Sequence, residues 1–149
     1  MPEIIFPNQL PIPIVQQKDG KIDWVSPDEN VFTQFIQPYN KSGTYAYIAH
    51  NYGAGKHLFN LKIGDVIAYT KKDKGMGALW KEEVKEIRKY QALQPKNVLS
   101  PLIDLASGKK VKAEDATHEI YRNNKRTVFQ TCIEKNGNPN WGRIFVITE

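Results

Sequence analysis

The sequence predicts a mostly β fold, a barrel or a sandwich, and three observations lead there. Apolar, aromatic and β-branched residues gather in short runs bounded by Gly, Pro, Asn and Asp, with "GTYAYIAH", "GDVIAYT", "RTVFQTC" and "GRIFVIT" the clearest. The chain has 149 residues, 40% of them hydrophobic and 25% charged, which is a globular composition with enough material for a core. No internal repeat and no linker divides it, so one domain over residues 1–149 is expected.

Taken in order, "LPIPIV" (Leu10 to Val15) alternates around prolines, which suits an edge or entry strand better than a central one. "SPDENVFTQFIQPYNKSG" sets a Ser-Pro and acids before Val31, Phe32, Phe35 and Ile36. That spacing predicts a short amphipathic helix ending before Pro38. The run Gly43 to His50 predicts a strand that ends on a histidine, followed by a loop through Asn51, Gly53 and Gly55. "HLFNL" then leads to Gly64 and Asp65, and "GDVIAYT" predicts a second strand. "ALWKEEVKEIRKYQAL" has a helical composition, yet Val84, Ile87 and Tyr90 fall at a spacing that decides nothing. Pro95 to Asp115 reads as a long loop with one helical turn at most, a length that in a compact domain usually has a functional purpose. Two strands close the chain around a loop "IEKNGNPNW".

The formal charge of +5 invites a nucleic-acid reading, but the basic residues are mixed with acids, as in "KKDK" and "WKEEVKEIRK". A solvated, lysine-rich surface accounts for that pattern. The rival, a basic barrel binding single-stranded nucleic acid, rests on aromatics beside lysines in "AYTKKDK" and "RKYQAL". One cysteine rules out an internal disulfide and a cysteine-built metal site. The separation of His50 and His57 matches neither a helical face nor a tight loop pair, and no carboxylate cluster accompanies them, so no metal is expected. No apolar run reaches the roughly 20 residues of a membrane span. "MPEIIFPNQLPIPIVQQ" is broken by prolines and lacks the charged opening of a signal peptide. A cytoplasmic protein and a surface protein whose signal and anchor lie outside this chain both remain open.

The chemistry centres on Cys132. Alternation puts Val128, Gln130 and Cys132 on one face of their strand. If the last two strands pair antiparallel, Cys132 and Arg143 become neighbours at one rim, where His50 also ends its strand. A thiolate is the nucleophilic form of cysteine, and a nearby cation favours it. Arginine stays protonated, so its plausible task is to hold a substrate carbonyl and the oxyanion that develops from it. An imidazole can protonate a leaving amine and later deprotonate an incoming one. Each residue alone reads better as structural, Cys132 as a small core residue, His50 as a satisfied strand-end residue and Arg143 as a surface charge. The combination favours chemistry.

The order His, Cys, Arg, with "YIAHNYGAGKHLFNLKIGDVIAYT" and "TVFQTCIEKNGNPNWGRIFVIT" around them, resembles the sortase family of cysteine transpeptidases. The first piece is similar to the family's strand ending in the catalytic histidine and to the Gly-Asp before the next strand. The second is similar to the Thr-Leu-x-Thr-Cys signature and to the arginine that opens the last strand. Val128-Phe129 stands in place of the signature's Thr-Leu, and Ala49 stands where many members have glycine. These departures leave subclass and sorting motif open. The resemblance implies an eight-stranded sortase-type β-barrel with one or two short helices, and it moves "WKEEVKEIRKY" to strand. It implies His50, Cys132 and Arg143 as the triad, with Thr131 just before the nucleophile. It makes the Pro95–Asp115 connection a groove wall where Leu99, Pro101, Leu102 and Ile103 would grip a peptide; Trp141 would line the far side or cap the core. The implied reaction cleaves a C-terminal Leu-Pro-x-Thr-Gly-like sorting motif of a secreted protein through a thioacyl enzyme, joins it to an amine, such as a cell-wall precursor, and requires no cofactor. The implied place is the outer face of a Gram-positive-type cell membrane, with a tether this chain does not contain. A hydrolytic or purely peptide-binding relative is the alternative within the same fold.

Overall fold

The protein is described by a computed structural model covering residues 2–18, 24–35, 44–73, 76–121 and 126–149. The described strands are β1 (Glu3–Ile5), β2 (Ile12–Gln16), β3 (Phe32–Gln34), β4 (Tyr45–Ile48), β5 (Val66–Asp73), β6 (Met76–Ala92), β7 (Leu102–Asp104), β8 (Lys110–Val111), β9 (Thr127–Lys135) and β10 (Asn138–Thr148). A 3-10 helix spans Ala54–Asn60 and one α-helix, α1, spans Ala113–Tyr121. Hydrogen bonding runs β10-β9-β4-β3-β2-β1-β5-β6, and β6 returns to β10, so eight strands close a barrel while the β7–β8 pair hangs from β6. The expected fold, an eight-stranded barrel with two short helices, is the one observed.

Closure depends on β6. Its first half pairs with β5, from Met76 opposite Asp73 to Glu83 opposite Val66. Its second half pairs with β10, from Val84 opposite Thr148 to Gln91 opposite Gly142. A register shift between Ile147 and Thr148 separates Val84 from the rest of that half. The bulge flips the alternation. Val84 and Ile87 therefore both join the inner core, while Tyr90 faces out. The spacing that decided nothing in the sequence is thus a strand with a bulge.

Aromatic rings fill the barrel. Phe129 lies 5.7 Å from Phe6, 5.7 Å from Phe32, 5.4 Å from Tyr47 and 6.1 Å from Tyr69, ring centre to ring centre. Ile4, Ile67, Val84, Ile144 and Val146 complete this cluster, all closed to solvent or nearly so. A second cluster sits on the outer wall, where Ala116, Ile120 and Tyr121 of α1 cover Ala46, Val128, Phe145 and Ile147. Successive residues of β9 and β10 alternate between the two clusters, as strand geometry requires.

Several expectations are corrected. The helix expected over Val31 to Ile36 is instead a strand across Phe32–Gln34, and residues 36–43 lie outside those described. Parallel pairing to β2 and antiparallel pairing to β4 override a short-range spacing pattern there. β2 is no edge strand, because β1 pairs with Ile12 and Pro13 while β3 pairs with Ile14 to Gln16. Each neighbour takes a different part of it, which accommodates the proline. The Pro95–Asp115 stretch holds the β7–β8 hairpin and the start of α1, with loop only at 93–101 and between the strands. "IEKNGNPNW" is no loop either: β9 runs to Lys135, β10 begins at Asn138, and Asn136 and Gly137 turn with φ of 55° and 76°. Two consecutive positive φ values make this the tight Asn-Gly hairpin turn.

Candidate active site

Cys132 lies inside β9 rather than at its end, and Arg143 of β10 is its directly opposed partner. The parallel pairing of β4 with β9 runs from Tyr45 opposite Thr127 to Ile48 opposite Gln130. It continues with the Ala49 amide donating to the Gln130 carbonyl at 3.2 Å. Two residues beyond Ile48, the same register brings His50 level with Cys132. Cys132 and Arg143 therefore stand side by side on adjacent strands, and His50, two residues past the end of β4, extends the row by register, to roughly 10 Å from end to end at the usual strand spacing. Residues in one row share a face. Here it is the outer wall, on which α1 covers Val128 and Phe145 farther along.

The Cys132 thiol is half-buried and free. Burial pushes its pKa above the ordinary value, and the positive charge of Arg143 pulls part of the way back. Arg143 is half-buried and donates three hydrogen bonds to backbone carbonyls. Its Nη1 donates to the carbonyls of Asn140 (2.9 Å) and Gly142 (3.0 Å), and its Nη2 donates to the Pro95 carbonyl (2.9 Å). A planar fork thus ties β10 to the 93–101 loop, and a peptide carbonyl already occupies one arm of the guanidinium. The His50 ring stacks on Tyr52 at 5.2 Å, and its Nε2 meets the Ser26 carbonyl at 3.0 Å. Next to it, Asn51 Nδ2 donates to the Pro139 carbonyl at 3.1 Å, fastening the histidine turn to β10.

The remaining residues named from the sequence fall in different places. Thr131 faces the barrel interior, closed to solvent, and its hydroxyl donates to the Ala49 carbonyl at 2.7 Å. It faces away from the row and fastens β9 to the backbone just before His50. Leu102 is buried in the outer cluster, Pro101 and Ile103 are half-buried, and Leu99 is 74% exposed at the loop tip beside Val98, 82% exposed. Trp141 is half-buried with the Lys135 ammonium 4.7 Å above its ring. Sequence reading gave no site role to Ser26 or Tyr52, and placed Gly55 and Pro95 only within loops. Ser26 and Pro95 act through backbone carbonyls, which no residue type advertises. His57 is remote in role from the row, stacked on Phe6 at 5.8 Å. Among the described residues no group of three His, Cys, Asp or Glu could hold a metal, and no helix is long and apolar enough to cross a membrane.

No family model matches the chain, and no curated protein matches its sequence. Solved structures do. Sortase E1 from Streptomyces coelicolor, solved with a tripeptide in its active site, aligns at TM-score 0.58 and 17% identity over 99% of this chain and 85% of its own. Sortase C-1 from Actinomyces oris aligns at 0.56 and 18% over 99% of this chain and 70% of its own. Sortase A from Corynebacterium diphtheriae aligns at 0.57 and 18%, and this chain spans 59% of its length. Identities this low speak for architecture alone, and the architecture is unambiguous: the chain has a sortase-like fold.

Proposed function

We propose that the protein is a sortase-type cysteine transpeptidase. The observation that carries this reading is the row His50, Cys132, Arg143 on one wall of the barrel, set by strand register. Cys132 attacks a backbone carbonyl within a C-terminal sorting motif, Leu-Pro-x-Thr-Gly-like, of a secreted protein. Because its pKa is raised, most of the thiol is protonated near neutral pH, and attack needs its proton to leave toward His50. Arg143 holds the substrate carbonyl and the oxyanion formed from it, taking the position that the Pro95 carbonyl occupies at rest. His50 then protonates the departing amine, leaving a thioacyl enzyme. An amine, for example from a cell-wall precursor, attacks the thioester and frees Cys132.

The peptide lies between the 93–101 loop, with Leu99 and Pro101, and the β10 side, with Trp141. The tripeptide in the Streptomyces coelicolor enzyme supports a peptide ligand on this fold. The enzyme works at the outer face of the cell membrane. The test is incubation with a Leu-Pro-x-Thr-Gly peptide library and an amine acceptor, followed by mass spectrometry. Acceptor-linked product that disappears in Cys132→Ala is expected. Cleavage without linkage would make the protein a hydrolase, and no product with any motif would overturn the reading.

A further inference from the structure

The placement of His50 says more than its level in the row. A backbone carbonyl can only accept, so the 3.0 Å contact between His50 Nε2 and the Ser26 carbonyl requires a proton on Nε2. That carbonyl is itself held. The Ser26 amide donates to Thr33 Oγ1 at 2.9 Å, with Ser26 buried and Thr33 closed to solvent on β3. Ser26 Oγ accepts from the Asp28 amide at 3.2 Å, and the Glu29 carbonyl accepts from the Ala54 amide at 2.6 Å. Gly53 packs against the Glu29 backbone so closely that no Cβ fits between them. The 24–31 connection is therefore pinned on one side to β3 and on the other to the turn after His50.

We propose that Ser26 and Thr33 are positioning residues: they hold His50 as the Nε2–H tautomer, so that Nδ1 is the nitrogen that exchanges protons. This rests on the transpeptidase reading for its catalytic part and on geometry alone for its tautomer part. In the forward half-reaction Nδ1 takes the Cys132 thiol proton, and the sulfur–carbon bond forms. The peptide carbon–nitrogen bond then breaks as the same proton passes from Nδ1 to the leaving amine. In the second half-reaction the acceptor amine gives its proton to Nδ1, its nitrogen bonds the carbonyl carbon, and the Cys132 thiolate leaves and recovers the proton. The Nε2–H bond to Ser26 persists throughout.

Two measurements decide it. Long-range proton–nitrogen correlation NMR on histidine-labelled protein, at a pH where the ring is neutral, should show His50 protonated at Nε2 and bare at Nδ1. Protonation at Nδ1 would overturn the proposal whatever the activity. Thr33→Val keeps the shape and removes the acceptor for the Ser26 amide. Its kcat for peptide cleavage should fall roughly ten- to hundredfold, the cost of a modest misplacement, with KM nearly unchanged. Thr33→Ser should restore it, and the His50 signal of Thr33→Val should show mixed tautomers. A Thr33→Val protein with undiminished kcat and an unmixed Nε2–H signal would refute the positioning role. If the parent protein cleaves no peptide, the transpeptidase reading fails, while the tautomer spectrum still judges the anchor.

Discussion

Gly55 offers the sharpest link between stability and the site. A Cβ built there would lie 2.5 Å from Thr131 Oγ1, 2.8 Å from the His50 carbonyl oxygen and 2.9 Å from Thr131 Cβ. Neither neighbour can yield cheaply. The His50 carbonyl is held by the amides of Gly53 and Gly55 at 3.1 and 3.0 Å, and turning Thr131 aside breaks its 2.7 Å bond to the Ala49 carbonyl. Gly→Ala at an unstrained position would otherwise gain about 0.4–1 kcal/mol through the unfolded chain. Against that stand about 1–3 kcal/mol of overpacking and about 1–2 kcal/mol for a buried hydrogen bond lost. The net for Gly55→Ala is a loss of roughly 2–4 kcal/mol, or a Tm lower by about 5–15 °C for a domain of this size. Thermal unfolding by circular dichroism measures it. Because the displaced carbonyl belongs to His50, kcat should fall too, even at temperatures where the variant is folded. Adding Thr131→Ala removes the closest clashing atom, so the double variant should lose less than the sum of the singles. A Gly55→Ala protein within about 0.5 kcal/mol of the parent would refute this packing argument.

The other expectations concern the row and the barrel floor. Cys132→Ala should abolish thioacyl formation, read by mass spectrometry, and leave Tm within a degree or two, since one small half-buried side chain replaces another. Arg143→Lys should lose roughly a hundredfold or more in kcat/KM, because a point charge cannot reproduce the planar fork that serves Asn140, Gly142 and Pro95. Alkylation of Cys132 should rise with pH up to a point above the ordinary thiol range. Arg143→Gln should shift that rise to still higher pH, since the guanidinium charge lowers the thiol pKa that burial raises. Glu82→Ala should cost about 2–4 kcal/mol in urea unfolding, because its carboxylate accepts from Thr127 Oγ1 at 3.2 Å and Thr148 Oγ1 at 2.7 Å. Its kcat per folded molecule should stay unchanged.

What the sequence made legible came from period and residue type. The strands through Tyr45, Ile67, Phe129 and Val146 showed themselves by apolar alternation, and the opposition of Cys132 to Arg143 is fixed once those strands pair. What stayed hidden had specific causes. The bulge near Val84 breaks the period of β6, so its residues alone left helix and strand undecided, and only the family resemblance moved it to strand. Helix α1 straddles the end of a stretch read as loop, although Glu114 and Asp115 in its first turn and the spacing of Ala116 to Ile120 mark it. The Asn136-Gly137 turn was a readable signal, obscured by the polar residues around it. The parts played by Ser26 and Pro95 could not be read, because each contributes a main-chain carbonyl set by tertiary structure.

The register that creates the row is set from the other side of the strand. In β9, Phe129 and Thr131 point inward while Gln130 and Cys132 point outward, so a slip of one residue would exchange the two sets. Such a slip would expose Phe129, the ring at the centre of four aromatic contacts, and turn Gln130 and Cys132 into the core. Burial of a phenylalanine alone is worth about 1.5–3 kcal/mol, and an unpaired buried Gln130 amide would add about 1–3 more. Thr131 pins the same register locally through the Ala49 carbonyl. The level of Cys132 with His50 and Arg143 is therefore a property of the barrel core, and substitutions deep inside it, at Phe129 or Thr131, should disturb the site without touching it.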